Sequence, residues 1–151
     1  VAFSPDGRLL ASSSLDHTVL LWNVSDGTFT TKLEGHVTDI LSLDFMPQQT
    51  ELAAGSVDGN IYLWDIIGLT IQRIMAGHTR EVRSLVHTAN GEILFSGSSD
   101  NTVRVWNVAS GAPLGSFKIT GIANSLTLSP DGTILAMGSE DGVLRLWGVS
   151  P

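Results

Sequence analysis

Four tryptophans recur at almost constant spacing, and this restricts the possible folds more than any other feature. Trp22, Trp64, Trp106 and Trp147 stand 42, 42 and 41 residues apart. Six residues before each is an aspartate: Asp16, Asp58, Asp100 and Asp141. The segments around them read SLDHTVLLWN, SVDGNIYLWD, SSDNTVRVWN and SEDGVLRLWG, and a Gly-His pair follows each of the first two (Gly35-His36, Gly77-His78). A fixed period of this length means one supersecondary unit repeated, each copy burying its faces against its neighbours.

The unit is built of strands. In the third copy Val82 to Val86 predicts an inner strand, Ala89-Asn90-Gly91 a turn, and Ile93-Leu94-Phe95 a second strand. Asp100-Asn101 suits a tight hairpin, because Asp and Asn tolerate the positive φ such turns require. Val103 to Trp106 then forms a third strand, and after Ala109-Ser110-Gly111 an outer strand runs near Pro113 to Phe117, an edge position that can accept proline. Ser4-Pro5-Asp6-Gly7 and Ser129-Pro130-Asp131-Gly132 match the residue preferences of a type I turn. Met46-Pro47-Gln48-Gln49 departs from them and predicts a differently shaped loop. The 16 glycines fit an all-β chain with many turns.

This period, with its Gly-His and Trp-Asp elements, resembles the WD-repeat family across essentially the whole chain. The resemblance implies a β-propeller fold, with four-stranded antiparallel blades around a central channel. Four units are expected, at about 1–36, 37–78, 79–120 and 121–151, or about 3.6 repeats. The first would lack most of its inner strand and the last its outer strand. That arrangement predicts part of a longer propeller, its end faces covered by further blades or by a second copy.

The resemblance also implies a buried tetrad of histidine, serine or threonine, aspartate and tryptophan in each blade. The third unit matches in full with His78, Ser96, Asp100 and Trp106, Ser98 being an alternative to Ser96. The second keeps His36, Asp58 and Trp64 but has Ala54 at the serine position. The first keeps Ser12, Asp16 and Trp22. The fourth keeps Asp141 and Trp147, with Ile119-Thr120 replacing Gly-His.

Serine, histidine and aspartate together invite a hydrolase reading, but a nucleophile needs exposure and an oxyanion hole. A set packed between blades, with the Trp N–H on the serine oxygen, predicts a structural role. No segment has the lysine of a phosphate loop, and the histidines lack metal-ligand spacing. No catalytic residue, cofactor or metal is therefore expected. The net charge of −7, with only eight Lys and Arg, argues against nucleic-acid and anionic-membrane partners. No apolar run approaches the ~18 residues of a membrane span.

Binding is expected at the narrow rim, which the resemblance places just after Gly-His and just before the hairpin Asp. Those positions hold Thr38, Asp39, Arg80 and Glu81, then Leu15, Val57, Ser99 and Glu140. The last four differ while their neighbours repeat, and a variable side chain on a constant frame is how a scaffold acquires specificity. Arg104 and Arg145 are expected to cover blade surface with their stems. The function expected is a protein–protein interaction scaffold in the cytoplasm or nucleus, binding other proteins or peptides. Alternatives are a regulatory propeller fused to a nucleotide-binding or kinase domain and, last, a catalytic propeller.

Overall fold

The computed structural model describes residues 1–36, 38–48 and 50–149. Fifteen strands form four separate sheets, each an antiparallel meander in chain order. The first sheet holds β1 (Ala2–Phe3), β2 (Leu9–Ser13), β3 (Val19–Asn23) and β4 (Phe29–Leu33). The second holds β5 (Ile40–Phe45), β6 (Glu51–Ser56), β7 (Ile61–Asp65) and β8 (Thr70–Met75). In the third are β9 (Val82–His87), β10 (Ile93–Ser98), β11 (Thr102–Asn107) and β12 (Pro113–Lys118). The fourth has three described strands, β13 (Ala123–Leu128), β14 (Ile134–Ser139) and β15 (Leu144–Gly148). The inner strands β1, β5, β9 and β13 neighbour one another in that order, so the sheets stack as consecutive blades.

The hairpin aspartate fixes the sharp turn between the second and third strands of each blade. Asp16, Asp58, Asp100 and Asp141 each accept the backbone N–H two residues on. The intervening residue takes positive φ in all four: His17, Gly59, Asn101 and Gly142. A side-chain acceptor at i and a left-handed residue at i+1 form an Asx-stabilised turn that sets the strand register. Each tryptophan is consequently paired with a leucine on the second strand: Leu10, Leu52, Leu94 or Leu135.

The core lies between blades. Ala11, Val19, Leu21 and Leu33 of the first pack on Ile40, Phe45, Leu52, Ala54, Tyr62 and Trp64 of the second. Ile61, Leu63 and Met75 meet Val82, Leu94 and Trp106 in the next interface, and Phe95 and Val103 meet Leu126, Leu135 and Met137 in the last. Side chains also tie the inner strands together. Ser42 Oγ donates to the Val82 carbonyl at 3.1 Å, and the Leu126 N–H donates to Ser84 Oγ at 2.8 Å. Asp44 Oδ2 accepts from both the backbone N–H and the ring Nδ1 of His87.

The outward face of the fourth blade lacks such cover. Leu144 and Leu146 are 68% and 61% exposed, whereas Val19 and Leu21 at the equivalent positions of the first blade are at 0% and 2%. The expected difference at Met46-Pro47-Gln48-Gln49 involves Gln49, which lies outside the described residues. The turn still closes with the Met46 N–H on the Glu51 carbonyl, as Ser4, Thr88 and Ser129 close theirs.

Candidate partner-binding rim and its polar supports

The third blade joins its four polar residues in one chain of hydrogen bonds. Trp106 Nε1 donates to Ser96 Oγ at 2.8 Å, Ser96 Oγ lies 2.7 Å from His78 Nε2, and His78 Nδ1 lies 2.9 Å from Asp100 Oδ2. Indole can only donate and an ionised carboxylate can only accept, so the two ends fix the direction of the chain. Ser96 therefore donates to Nε2, and the neutral imidazole carries its proton on Nδ1. Asp100 also accepts from the backbone of Thr79 and from the backbone and hydroxyl of Thr102.

Burial lowers the pKa of His78, against the opposing pull of the Asp100 carboxylate. For Asp100 burial acts upward, but the hydroxyl of Thr102, the His78 ring and the Thr79 N–H prevail and hold its pKa below the usual range. Ser96 is 0% exposed, leaving no surface for a substrate to approach. The alternative serine, Ser98, is committed elsewhere: it donates to the Arg80 carbonyl and accepts the Asp100 N–H.

The second blade leaves the same set open. With Ala54 in place of serine, Trp64 Nε1 and both ring nitrogens of His36 are buried without a hydrogen-bond partner among the described residues. Burial pushes the pKa of His36 down, with the nearby His17 backbone opposing. Asp58 turns instead to Tyr62, whose hydroxyl donates to Oδ2 at 2.8 Å. In the fourth blade Asp141 is met by Arg145, through Nη1 at 3.1 Å and Nη2 at 2.6 Å, with Thr120 also donating to Oδ2. The paired guanidinium holds the Asp141 carboxyl well below the usual range. The first blade retains only the bond from Trp22 Nε1 to Ser12 Oγ, at 2.8 Å, while Asp16 is occupied by Thr18.

Tyr62 and Arg145 share one repeat position, two residues before the tryptophan, where Arg104 and Leu20 also stand. In the second and fourth blades that position supplies an alternative partner for the hairpin aspartate; Leu20 in the first cannot, and Thr18 holds Asp16 there. Spacing alone did not reveal this, because three dissimilar residue types occupy it. Arg145, whose stem was expected to cover blade surface, makes a two-point ion pair through its guanidinium; Arg104 has its Nε buried without a partner among the described residues.

These supports carry the rim. Leu15 and Val57 are exposed at 72% and 37%, and Arg80 and Glu140 are exposed as well. Thr38, Asp39 and Glu81 are half-buried: Thr38 Oγ1 contacts Ser56 Oγ, Asp39 Oδ1 lies 2.6 Å from His17 Nδ1, and Glu81 lies 3.7 Å from Arg80. Ser99 differs from the expectation of an open rim residue. It is 1% exposed, because Arg83 on the neighbouring strand directs its Nε onto the Ser99 hydroxyl.

Three rim residues had no signal in the repeat pattern. Each complete inner strand slips register at one place: between Ile40 and Ser42, beside Val82 and Ser84, and between Ala123 and Ser125. The residues left over are Leu41, Arg83 and Asn124, all exposed. A bulge leaves one residue unpaired and re-aims its side chain, so these three are presented to solvent from the inner strands.

The chain matches the model of the WD domain, G-beta repeat, at residues 1–23, 27–65, 69–107 and 111–148. It belongs to that family. Over shorter stretches this WD-repeat chain is similar to named proteins. It is 42% identical over 52 residues to the Arabidopsis thaliana transcriptional corepressor LEUNIG_HOMOLOG, a match covering 34% of this chain and 7% of that protein. The general transcriptional corepressor TUP1 of Saccharomyces cerevisiae is 40% identical over 45 residues, 30% of this chain and 6% of its own. The Notchless protein homolog of Arabidopsis thaliana is 54% identical over 37 residues, 24% and 8% respectively. Each match thus spans less than a tenth of the relative's length.

Proposed function

We propose that these WD repeats form a protein-interaction scaffold that docks other proteins or peptides on the rim bearing Leu15, Val57, Arg80 and Glu140. One observation carries this reading. At equivalent points on a constant frame, the rim presents chemically different side chains while the aspartate beneath each is always held. The bulged residues Leu41, Arg83 and Asn124 vary in the same way. Rigid elements that present variable tips are suited to recognition. Two of the relatives are named transcriptional corepressors, which supports an intracellular scaffold working in the nucleus or cytoplasm. The uncovered apolar faces at Leu144 and Leu146 suit further blades, or a second copy, as neighbours.

A photo-crosslinking amino acid placed at position 15 or 57 tests the rim, with positions 26 and 131, in turns at the opposite edge of the sheets, as controls. Expressed in cells, the rim variants should form discrete adducts that the controls lack. Adducts confined to positions 26 and 131, or none from the rim, would overturn the proposal.

A further inference from the structure

The charge and polarity of the rim change from blade to blade in a fixed order. Its first half exposes three apolar side chains, Leu15, Leu41 and Val57, each at 36% or more, around the His17–Asp39 pair. The continuity of this half follows from short contacts. The hairpin bearing Leu15 touches Asp39 through His17 at 2.6 Å, and the Asp39 carbonyl accepts the Val57 N–H at 3.0 Å. Gly59, in the same turn as Val57, runs so close to the next blade that a Cβ there would lie 2.6 Å from the His78 carbonyl oxygen and 3.2 Å from that of Arg80. The apolar half therefore ends against Arg80.

Arg83 stands beside it. Its Nε is anchored on Ser99 Oγ at 2.5 Å, and its terminal N–H groups have no partner among the described residues. Leu41 and Arg83 flank the bond between Ser42 and the Val82 carbonyl, so the two bulges are near neighbours across the blade boundary. Glu81 is the carboxylate at this point, its Oε2 3.7 Å from Arg80 Nε. On the far side the rim turns acidic at Glu140, while the Asp39 carboxylate lies 2.6 Å from His17 Nδ1. A cation held between an apolar surface and an acidic one gives a bound segment a defined orientation.

Resting on the rim reading above, we propose that the partner is an extended peptide segment carrying an apolar side chain and carboxylates close together. The apolar group seats over Leu15, Leu41 and Val57, and the carboxylates meet the terminal N–H groups of Arg83 with Arg80 beside them. An extended chain advances ~3.3 Å per residue, so the two features should lie within about three residues of each other. Guanidinium offers paired donors that match a carboxylate, and its anchoring by Ser99 reduces the ordering cost of binding. Glu140 repels the same carboxylates and so disfavours the reverse placement.

Fluorescence anisotropy of the full chain tests this with labelled decapeptides on a Gly/Ser frame. One carries Leu with two Glu within three residues, one has Lys for Glu, and one has Ser for Leu. The Leu-Glu peptide should bind roughly tenfold or more tightly than either control. Arg83→Glu should reverse the preference between Glu and Lys peptides, and Leu41→Ser should weaken both while leaving that preference intact. Should Arg83→Glu fail to fold, Arg83→Gln should lower affinity for the Glu peptide towards that of the Lys peptide. Equal binding of Glu and Lys peptides, or a preference unmoved by the Arg83 variants, would overturn the inference. So would no binding by any peptide. If the rim crosslinks in cells and these peptides fail, only the partner chemistry is wrong; if the rim does not crosslink, the docking proposal itself falls.

Discussion

The second and third blades share a fold, a register and a buried tryptophan, yet they satisfy their buried polar atoms in opposite ways. Trp64 and Trp106 are both at 0% exposure. In the third blade Ser96 links indole to imidazole and imidazole to carboxylate, so every member has a partner. In the second, Ala54 offers no hydroxyl to Trp64 Nε1 or His36 Nε2, Asp58 bonds Asn60 and Tyr62 rather than the ring, and all three nitrogens lack a partner among the described residues. The backbone geometry barely registers the difference. Blade architecture is therefore fixed by apolar packing and by the Asx turn, while the polar chain adds stability and direction on top of it.

The largest effect should come from breaking the complete network. Asp100→Ala removes the acceptor of His78 Nδ1, of Thr79 N–H and of the Thr102 hydroxyl, leaving a buried imidazole with an unmet donor. The expected loss is about 2 kcal/mol, or roughly 4–8 °C in melting temperature for a chain of this size. Asp58→Ala should cost less, since Asp58 is itself exposed and, among the described residues, bonds the side chains of Asn60 and Tyr62 rather than a buried imidazole. Equal losses in the two variants, measured by urea unfolding, would remove the energetic distinction between the blades.

Completing the open network is the converse experiment. Ala54→Ser places a hydroxyl where Ser96 stands, able to accept from Trp64 Nε1 and donate to His36 Nε2. A gain of about 1 kcal/mol is expected. The same unfolding curves check it, and a loss of stability would mean that the site is too tightly packed for the added oxygen.

Much of this was legible in the sequence, and the residues show where legibility ends. The Asp–Trp period located the hairpin between the second and third strands of every blade because both residues act locally, one through its turn and the other through a fixed register. Ala54 was visible as a gap for the same reason. The bulges at Leu41, Arg83 and Asn124 were not, since a bulge arises from pairing between strands and requires no particular residue type. Nor was the pairing of Asp58 with Tyr62 or Asp141 with Arg145, because tyrosine and arginine at that position look like surface cover until the turn brings the carboxylate to them. Ser99 looked exposed by its place in a loop, but its N–H bonds the Glu81 carbonyl and its hydroxyl meets Arg83 Nε.

The two histidines also make stability depend on pH in both blades. Burial depresses the folded-state pKa of both His36 and His78, so the unfolded chain takes up protons first as pH falls. Their contribution is fully present above the unfolded value near 6.5 and is lost progressively below it. Between pH 7.5 and 6.0 the loss should stay under about 0.8 kcal/mol per histidine. His36→Leu should flatten this slope while leaving the His78 share. An unchanged slope would show that His36 does not titrate differently on folding.

The smallest expected effect concerns the substitute partner of the open blade. Tyr62→Phe removes one hydrogen bond to Asp58 but keeps the ring that packs against His36 at a centroid distance of 6.3 Å. Asp58 retains the N–H and side-chain amide of Asn60, and its exposed position lets water replace the lost phenol. A loss of about 0.5 kcal/mol is therefore expected, at the low end for a hydrogen bond. The informative comparison is the double variant with Ala54→Ser. If the restored serine draws His36 towards Asp58, the carboxylate gains a second partner and the phenol matters less, so the two changes should be non-additive. Strict additivity would mean that Tyr62 and His36 satisfy Asp58 independently, and that the second blade cannot be converted to the arrangement of the third by one hydroxyl.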